Sequence, residues 1–182
     1  MVLTRDAYEK LVAHYRGKDV VRDISMDLVP LWCDDYHFMN PKAELVQVDV
    51  DSSGTSFTYL FDIDLQRNIV AFGMPTFSKH RRDASRMAGH PLSDGSKFHR
   101  GHLMAHSIGG GTDINLVPQL GKLNIGKFRV LERKARKLAE KNARCLYFVR
   151  SIYSSTSQTP SMFEQCIIHP FGTLDYEIHS NF

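Results

Sequence analysis

The sequence predicts an α+β fold in which antiparallel strands form the sheet. Apolar and polar residues alternate over 46–50 and alternate again over 57–63. The turn-forming run 51–54 lies between these segments, so they are expected to form a hairpin. The apolar segment 69–73 follows a further short turn and extends the hairpin to a three-stranded meander. Such a meander needs no long crossover connection.

Two stretches carry apolar residues at helical spacing. Residues 4–16 predict a helix that packs on the core, with Thr4 as its N-cap. Residues 121–142 predict a longer helix. On a single continuous helix, Asn124 would lie in the first turn and Glu132 two turns later, on the same side.

The remaining segments add strands and one stretch without a regular pattern. Residues 145–153 and 162–168 predict a second hairpin, and the tail 174–182 predicts an edge strand. Residues 18–41 are interrupted by prolines and predict no regular element. The residues of that stretch that we expect to contribute to a core are Leu28, Leu31, Trp32 and Phe38.

Length and composition are those of one ordinary globular domain, spanning residues 1–182. The chain is 42% hydrophobic and 24% charged, which argues against disorder. Its first residues lack the apolar core of a signal peptide, and no apolar run is long enough to cross a bilayer. We therefore expect a soluble protein without a membrane partner, whose secretion would depend on another segment or a dedicated apparatus.

Charge is distributed unevenly along the chain. Residues 79–150 hold sixteen Lys or Arg against five Asp or Glu, whereas the rest holds seven against fifteen. A basic segment of this kind is typical of proteins that bind a polyanion such as nucleic acid. The alternative is a solvated helix face, which is the more common origin of a charge run.

The residues best suited to catalysis concentrate in the run 98–111. Three histidines, His99, His102 and His106, fall within eight residues, and histidine is the side chain that titrates near neutral pH. Arg100 offers a planar fork that fits phosphate oxygens, and Gly101 permits a close approach of backbone or substrate. The run therefore indicates a catalytic centre that acts on a phosphate.

This run and the residues after it resemble the signature of the DNA/RNA non-specific endonucleases. These are ββα-metal nucleases that include secreted nucleases and toxin domains. Their signature has Asp-Arg-Gly-His, a Gly-Gly turn, Asn-Leu-x-Pro-Gln, a helical Asn and a later Glu. The matching residues here are His99 to His102, Gly109 and Gly110, Asn115 to Gln119, Asn124 and Glu132. The resemblance covers residues 98 to 136, about a fifth of the chain, and His99 departs from it because the family has Asp there.

The resemblance implies an endonuclease that hydrolyses DNA and/or RNA with little base specificity and leaves 5′-phosphate and 3′-hydroxyl ends. It implies a ββα-metal core within residues 69–153. His102 would be the general base, and Asn124 on the long helix would bind Mg²⁺ or Mn²⁺. It is compatible both with a stand-alone enzyme and with a toxin or effector domain that has an inhibitory immunity protein as a partner.

Other roles carried over from the family are less direct. Glu132 would act through a metal-bound water or orient its neighbours, and Arg136 and Arg100 would lie by the scissile phosphate. A neutral imidazole at His99 could accept a hydrogen bond from a metal-bound water. His106 would have a supporting role, as would Asn115. For Glu132 and Arg136, four residues apart, an ordinary salt bridge along the helix is the alternative.

Basic residues outside the signature are candidates for backbone contacts with nucleic acid. Lys79, Arg81 and Arg82 lie in the long polar loop 74–97 and could clamp a phosphate, or could serve only for solubility. Lys127 and Arg129 near the start of the long helix are candidates for the same kind of contact.

Two other functions fit parts of the pattern. The spacing of His99, His102 and His106 also suits a three-histidine zinc site of a different hydrolase. The His99 substitution is also compatible with a catalytically impaired module that binds nucleic acid without cutting it. Three cysteines without zinc-type spacing point to buried thiols, although Cys145 and Cys166 could lie on neighbouring strands and form one bridge.

Overall fold

A computed structural model describes residues 3–15, 23–52, 55–78 and 97–182. The helices are α1 (Arg5–His14), α2 (Ser25–Met39), α3 (Gly121–Ile125) and α4 (Phe128–Glu140), with 3₁₀ turns at His106–Ile108 and Asp113–Asn115. The strands are β1 (Leu45–Ser52), β2 (Thr55–Asp62), β3 (Arg67–Gly73), β4 (Phe98–His102), β5 (Leu116–Leu120), β6 (Leu146–Ile152), β7 (Met162–Ile168) and β8 (Leu174–Ser180).

Within the described residues, six strands form one antiparallel sheet in the order β1-β2-β3-β6-β7-β8. The predicted meander is β1-β2-β3, the second hairpin is β6-β7, and the predicted edge strand is β8. Strands β4 and β5 form a separate two-stranded ribbon. The predicted α+β class with an antiparallel sheet is therefore confirmed.

The sheet has an apolar core on each of its faces, because side chains alternate along each strand. On β6, Leu146 and Phe148 pack with α1 and α2, whereas Tyr147 and Val149 point to the opposite face. That second face is covered by α4 and by the segment that carries the signature, including the fully buried Leu103. The ribbon is thus held on the side of the sheet away from α1 and α2.

Helix α2 corrects the sequence prediction, which gave no regular element in this region. Leu28, Trp32 and Tyr36 recur every four residues and are all buried against the sheet. Pro30 lies inside the helix on its exposed side, where it costs a backbone hydrogen bond. Burial of three large side chains offsets that cost. Phe38 is also a correction, since it is 72% exposed rather than part of the core.

The predicted single helix over 121–142 is two helices. Helix α3 ends at Ile125, and α4 begins only at Phe128. At the break, the backbone of Gly126 lies so close to Lys122 that a Cβ there would be 2.6 Å from the Lys122 carbonyl oxygen. The close approach that breaks the helix is therefore open only to glycine, and Asn124 and Glu132 are carried by different helices.

The cysteines are free thiols, and no bridge joins Cys145 to Cys166. Cys166 lies in the core beneath α1 and α2, whereas Cys145 belongs to the core on the opposite face. The two thiols are therefore buried on different sides of the sheet, as small apolar residues.

Candidate active site

The β4–β5 ribbon brings the two halves of the signature together. In its register His99 lies opposite Gln119, and His102 lies opposite Leu116. His102 is the last residue of β4 and is half-buried, while the next residue, Leu103, is fully buried. The backbone that carries His102 is therefore fixed to the core directly behind the imidazole.

Gly101 has a packing role that the sequence did not reveal. A Cβ at this position would lie 2.2 Å from Oε1 of Gln119, so the Gln119 side chain rests on the bare glycine backbone. Gln119 itself is fully buried. The close approach expected at Gly101 is thus made by a side chain of the neighbouring strand.

Asn115 organises the loop between the ribbon strands. Its Oδ1 accepts a hydrogen bond from the Met104 amide at 2.7 Å, and its Nδ2 donates to the carbonyl oxygens of Met104 and Gly111, each at 2.8 Å. Gly110 completes the loop, because a Cβ there would overlap the Met104 carbonyl. The buried amide of Asn115 closes this loop from inside the protein, which favours a supporting role.

Asn181, near the end of the chain, ties the ribbon to the rest of the molecule. Its Oδ1 accepts from the Leu120 amide at 2.7 Å, while its Nδ2 donates to the carbonyls of Pro118 and Pro160. The side chain is fully buried. Sequence reasoning missed this residue, because a single Asn in a short tail carries no pattern that marks such contacts.

His99 and Asn124 are brought into contact across the ribbon and α3. Nδ2 of Asn124 lies 3.3 Å from Nδ1 of His99. The imidazole lies flat on Gly121, where a Cβ would be 2.7 Å from its Nε2 and 3.1 Å from its Cε1. Gly121, also missed from the sequence, makes room for the ring. The residue that departs from the family signature thus touches the residue expected to bind the metal.

Glu132 projects from α4 into a half-buried position. Burial raises the pKa of its carboxyl to about 7, and the nearby Arg129 and Arg133 guanidinium groups limit the rise. Helix α4 packs against the 3₁₀ turn at His106–Ile108, which belongs to the signature. Glu132 therefore titrates near neutral pH beside the segment that carries the histidines.

Arg136 does not form the salt bridge with Glu132 that was the alternative to a catalytic role. Its Nε donates instead to Oε1 of Glu140 at 2.9 Å, one helical turn in the other direction, and its guanidinium lies over the ring of Phe77. Glu140 is exposed, so its carboxylate loses little hydration when it pairs with a cation. Burial disfavours the charged form of Glu132. The spacing along the helix allowed either partner.

The three histidines do not form the alternative zinc site. Within the part of the chain that the structure describes, no three His, Cys, Asp or Glu side chains gather as a metal cluster. His99 and His102 lie on β4, whereas His106 lies in the 3₁₀ turn beyond. The spacing was compatible with zinc, but the described side chains do not gather as a zinc site requires.

The basic residues expected to contact nucleic acid are only partly within the described structure. Lys127 and Arg129 are exposed at the start of α4, and Arg100 is half-buried on β4. Lys79, Arg81 and Arg82 lie outside the described residues. Arg133, which sequence reasoning did not single out, lies one turn beyond Arg129 on the same side of α4.

An antiparallel ribbon that ends in a histidine, followed by a short helix that presents an amide, defines the class of ββα-metal proteins. The model of the DNA/RNA non-specific endonuclease family matches residues 64–167, more than half of the chain. The chain belongs to this family. It is an endonuclease, a hydrolase of phosphodiester bonds whose substrate is nucleic acid.

Solved structures support the same fold. NucA from Streptococcus agalactiae with no metal bound is 16% identical, with a TM-score of 0.56 over 81% of this chain and 88% of that chain. NucA with a magnesium ion bound is 15% identical, with a TM-score of 0.57 over 81% and 90%. Sda1 nuclease with a bound zinc ion is 15% identical, with a TM-score of 0.52 over 79% and 85%.

A comparison with curated proteins gave no match. Among the described residues, no helix has the length and apolar character needed to cross a membrane.

Proposed function

We propose that this endonuclease cleaves DNA and RNA with His102 as its general base and one divalent ion, Mg²⁺ or Mn²⁺, held by Asn124. The observation that carries the proposal is the position of Asn124. Its amide lies on α3 directly beside the β4–β5 ribbon, in contact with the first residue of the His-Arg-Gly-His run. The proposed base and the proposed metal ligand thus lie on adjacent elements, the ribbon and α3.

The available donors fit a hard cation that keeps most of its water. The amide oxygen of Asn124 is an oxygen ligand of the kind that Mg²⁺ accepts, and Mg²⁺ often takes only one or two protein ligands. The described residues contain no cluster of three His, Cys, Asp or Glu, which is consistent with an ion coordinated mainly by water. A bound ion would neutralise charge on the phosphate and on the leaving oxygen.

His102 would remove a proton from the attacking water as the water forms its bond to phosphorus. The bond from phosphorus to the 3′-oxygen then breaks, and that oxygen is released as a hydroxyl after it takes up a proton. The products are a 5′-phosphate and a 3′-hydroxyl. Fixation of the His102 backbone by the buried Leu103 supports this role, because a general base must be held within hydrogen-bond reach of its proton.

Arg100 and Arg136 would hold the phosphate, and Glu132 would order a water of the metal shell or orient its neighbours. The raised pKa of Glu132 supports a role in proton exchange near neutral pH. His99 would act at the metal's side of the site. Exposed Lys127 and Arg129 would contact the backbone of the substrate, with Lys79, Arg81 and Arg82 as a further clamp.

The test is cleavage of plasmid DNA and of a structured RNA in Mg²⁺, in Mn²⁺ and in EDTA, with analysis of the end groups. We expect cleavage of both substrates with either ion, no cleavage in EDTA, and 5′-phosphate ends. Full activity in EDTA, or products with 3′-phosphate ends, would exclude the proposed mechanism.

The family resemblance extends the proposal to a toxin or effector domain that an inhibitory protein keeps in check. This part rests on the resemblance alone. Expression of the chain in a bacterial cytoplasm should then be lethal, and the His102→Ala variant should be tolerated. Equal growth with both forms, at equal protein levels, would contradict it.

A further inference from the structure

We propose that His99 is a positioning residue that orients the amide of Asn124 so that its oxygen, rather than its nitrogen, faces the metal ion. This inference rests on the proposed role of Asn124 as the metal ligand. It assigns a specific task to the one signature position at which this chain departs from its family.

The contact between the two side chains has a definite polarity. An amide nitrogen can only donate a hydrogen bond, so the 3.3 Å contact from Asn124 Nδ2 requires His99 Nδ1 to accept. Nδ1 therefore carries no proton in this contact. Since Nδ2 is committed to His99, Oδ1 is the atom of Asn124 that remains for a cation.

The imidazole is exposed, but one of its faces rests on the start of α3. Cε1 and Cδ2 would lie 3.1 Å and 3.2 Å from a Cβ at Gly121, so the ring rests flat on the glycine backbone. Gly121 is buried and is the first residue of α3, the helix that carries Asn124. One short helix therefore supplies both the surface that fixes the ring and the amide that the ring orients.

Orientation matters because the two ends of an amide differ in chemistry although they are similar in shape. The oxygen attracts a divalent cation, whereas the NH₂ group repels it. Without a hydrogen-bond acceptor at position 99, the amide can rotate so that its NH₂ group faces the ion. Part of the free energy of ion binding is then used to fix the amide orientation, and the measured affinity falls. An Asp at position 99, as in the family signature, would also accept from Nδ2. The histidine thus preserves the acceptor while removing the negative charge.

The experiment measures Mg²⁺ binding directly, by calorimetry on metal-free protein. His99→Phe keeps a ring on Gly121 but removes the acceptor, and His99→Ala removes the ring without adding bulk. We expect both variants to bind Mg²⁺ about tenfold more weakly, the scale of lost support around a metal ligand. His99→Asp, which restores an acceptor, should bind at least as tightly as the wild type.

A double-mutant cycle isolates the orienting role. A carboxylate has oxygen at both ends, so Asn124→Asp needs no orientation. In that background His99→Phe should change Mg²⁺ affinity by less than about twofold. A tenfold loss there as well would overturn the inference, as would a His99→Asp variant that binds as weakly as His99→Phe.

Two further results distinguish a failure of the positioning role of His99 from a failure of the proposed metal site at Asn124. If Asn124→Ala leaves Mg²⁺ binding unchanged, the proposed metal site itself is wrong. If Asn124→Ala weakens binding but His99→Phe and His99→Ala do not, only the positioning role fails. Titration with Co²⁺ tests direct ligation, because Co²⁺ favours imidazole nitrogen more than Mg²⁺ does. A loss of Co²⁺ affinity in His99→Phe far larger than the loss for Mg²⁺ would make His99 a ligand and overturn the inference.

Discussion

The two faces of the central sheet both bury charged groups, but they treat them differently. Beneath α1 and α2, Arg150 donates to Glu164 at 2.6 Å and to Asp35 at 2.7 Å, and the hydroxyls of Tyr8 and Tyr176 also donate to Glu164. On the opposite face, the carboxyl of Glu132 loses water without comparable compensation, and its pKa rises to about 7.

The difference distinguishes a structural use of buried charge from the chemical use that we propose for Glu132. The hydrogen bonds from Tyr8 of α1 to Glu164 and from Arg150 to Asp35 of α2 fix the packing of these helices on the sheet. A carboxyl that is desolvated without a close partner can exchange a proton near neutral pH. A buried charge alone therefore does not identify an active site, whereas a pKa near 7 makes Glu132 a candidate for the proposed chemistry.

The largest effect should come from the catalytic face. His102→Ala should lower the cleavage rate by about 10²- to 10⁴-fold, the usual contribution of a general base, while DNA affinity stays near that of the wild type. Single-turnover cleavage and binding, both measured in Mg²⁺, check this. Retained turnover in the variant would remove His102 from the mechanism.

The second effect is on stability and should come from the other face. Glu164→Gln leaves Arg150 buried with only part of its compensation, so the free energy of unfolding should fall by about 3 kcal/mol. Denaturant unfolding measures it. Arg5→Ala is the matched control, because the Arg5–Glu9 pair has a similar 2.7 Å contact but is exposed. The control should cost far less stability than Glu164→Gln, because water screens an exposed pair.

Cleavage by Glu164→Gln, per folded molecule, should equal that of the wild type, because Glu164 lies on the face away from the ribbon. A large loss of rate at unchanged stability would show that the two faces are not separate in function.

Elements defined by local pattern were predictable from the sequence. Strand alternation predicted the β1-β2-β3 meander and the β6-β7 hairpin, and the buried stripe from Tyr8 to Val12 predicted α1. Helix α2 was missed because Pro30 disrupts the pattern locally, whereas the gain from burying Trp32 against the sheet is tertiary. Local rules fail where long-range burial decides the outcome.

The candidate site was predicted in its residues but not in its contacts. The signature pointed to His99 and Asn124 separately, and their contact depends on how the ribbon meets α3. The break at Gly126 was not predictable from helical spacing, which continues through the glycine. Spacing also could not predict which carboxylate would pair with Arg136. Burial disfavours the charged form of Glu132, and Arg136 pairs with Glu140.

The third prediction concerns pH. The folded-state pKa of Glu132, about 7, lies above its ordinary value of 4.5. The folded protein therefore binds more protons between these values, and the stability that this provides is lost as pH rises from 4.5 through 7. Glu132→Gln removes the ionisable carboxyl, and with it this pH-dependent loss of stability. At pH 8 in EDTA the variant should be more stable than the wild type by about 2 kcal/mol, less than the full shift implies because the side chain is partly exposed.

Denaturant unfolding of both proteins at pH 4 and pH 8 gives the measurement. The difference between wild type and variant should be near zero at pH 4. A stability difference that is the same at both pH values would mean that Glu132 titrates normally.

The smallest effect concerns the two flanks of α4. Arg129 and Arg133 lie on the flank of Glu132, whose pKa their charges lower, whereas Lys134 on the other flank bonds Asp175 of β8 at 2.5 Å. Lys141, seven residues further on, continues that second flank.

If DNA lies on the active-site side, Arg129→Gln with Arg133→Gln should weaken binding and reduce the slope of log affinity against log salt by about 2. Lys134→Gln with Lys141→Gln removes the same charge from the far flank and should leave the slope nearly unchanged. Both pairs of substitutions are made in the catalytically inactive His102→Ala variant, and DNA affinity is measured at several salt concentrations. Equal slopes for the two pairs would show that DNA does not lie on the active-site side of α4.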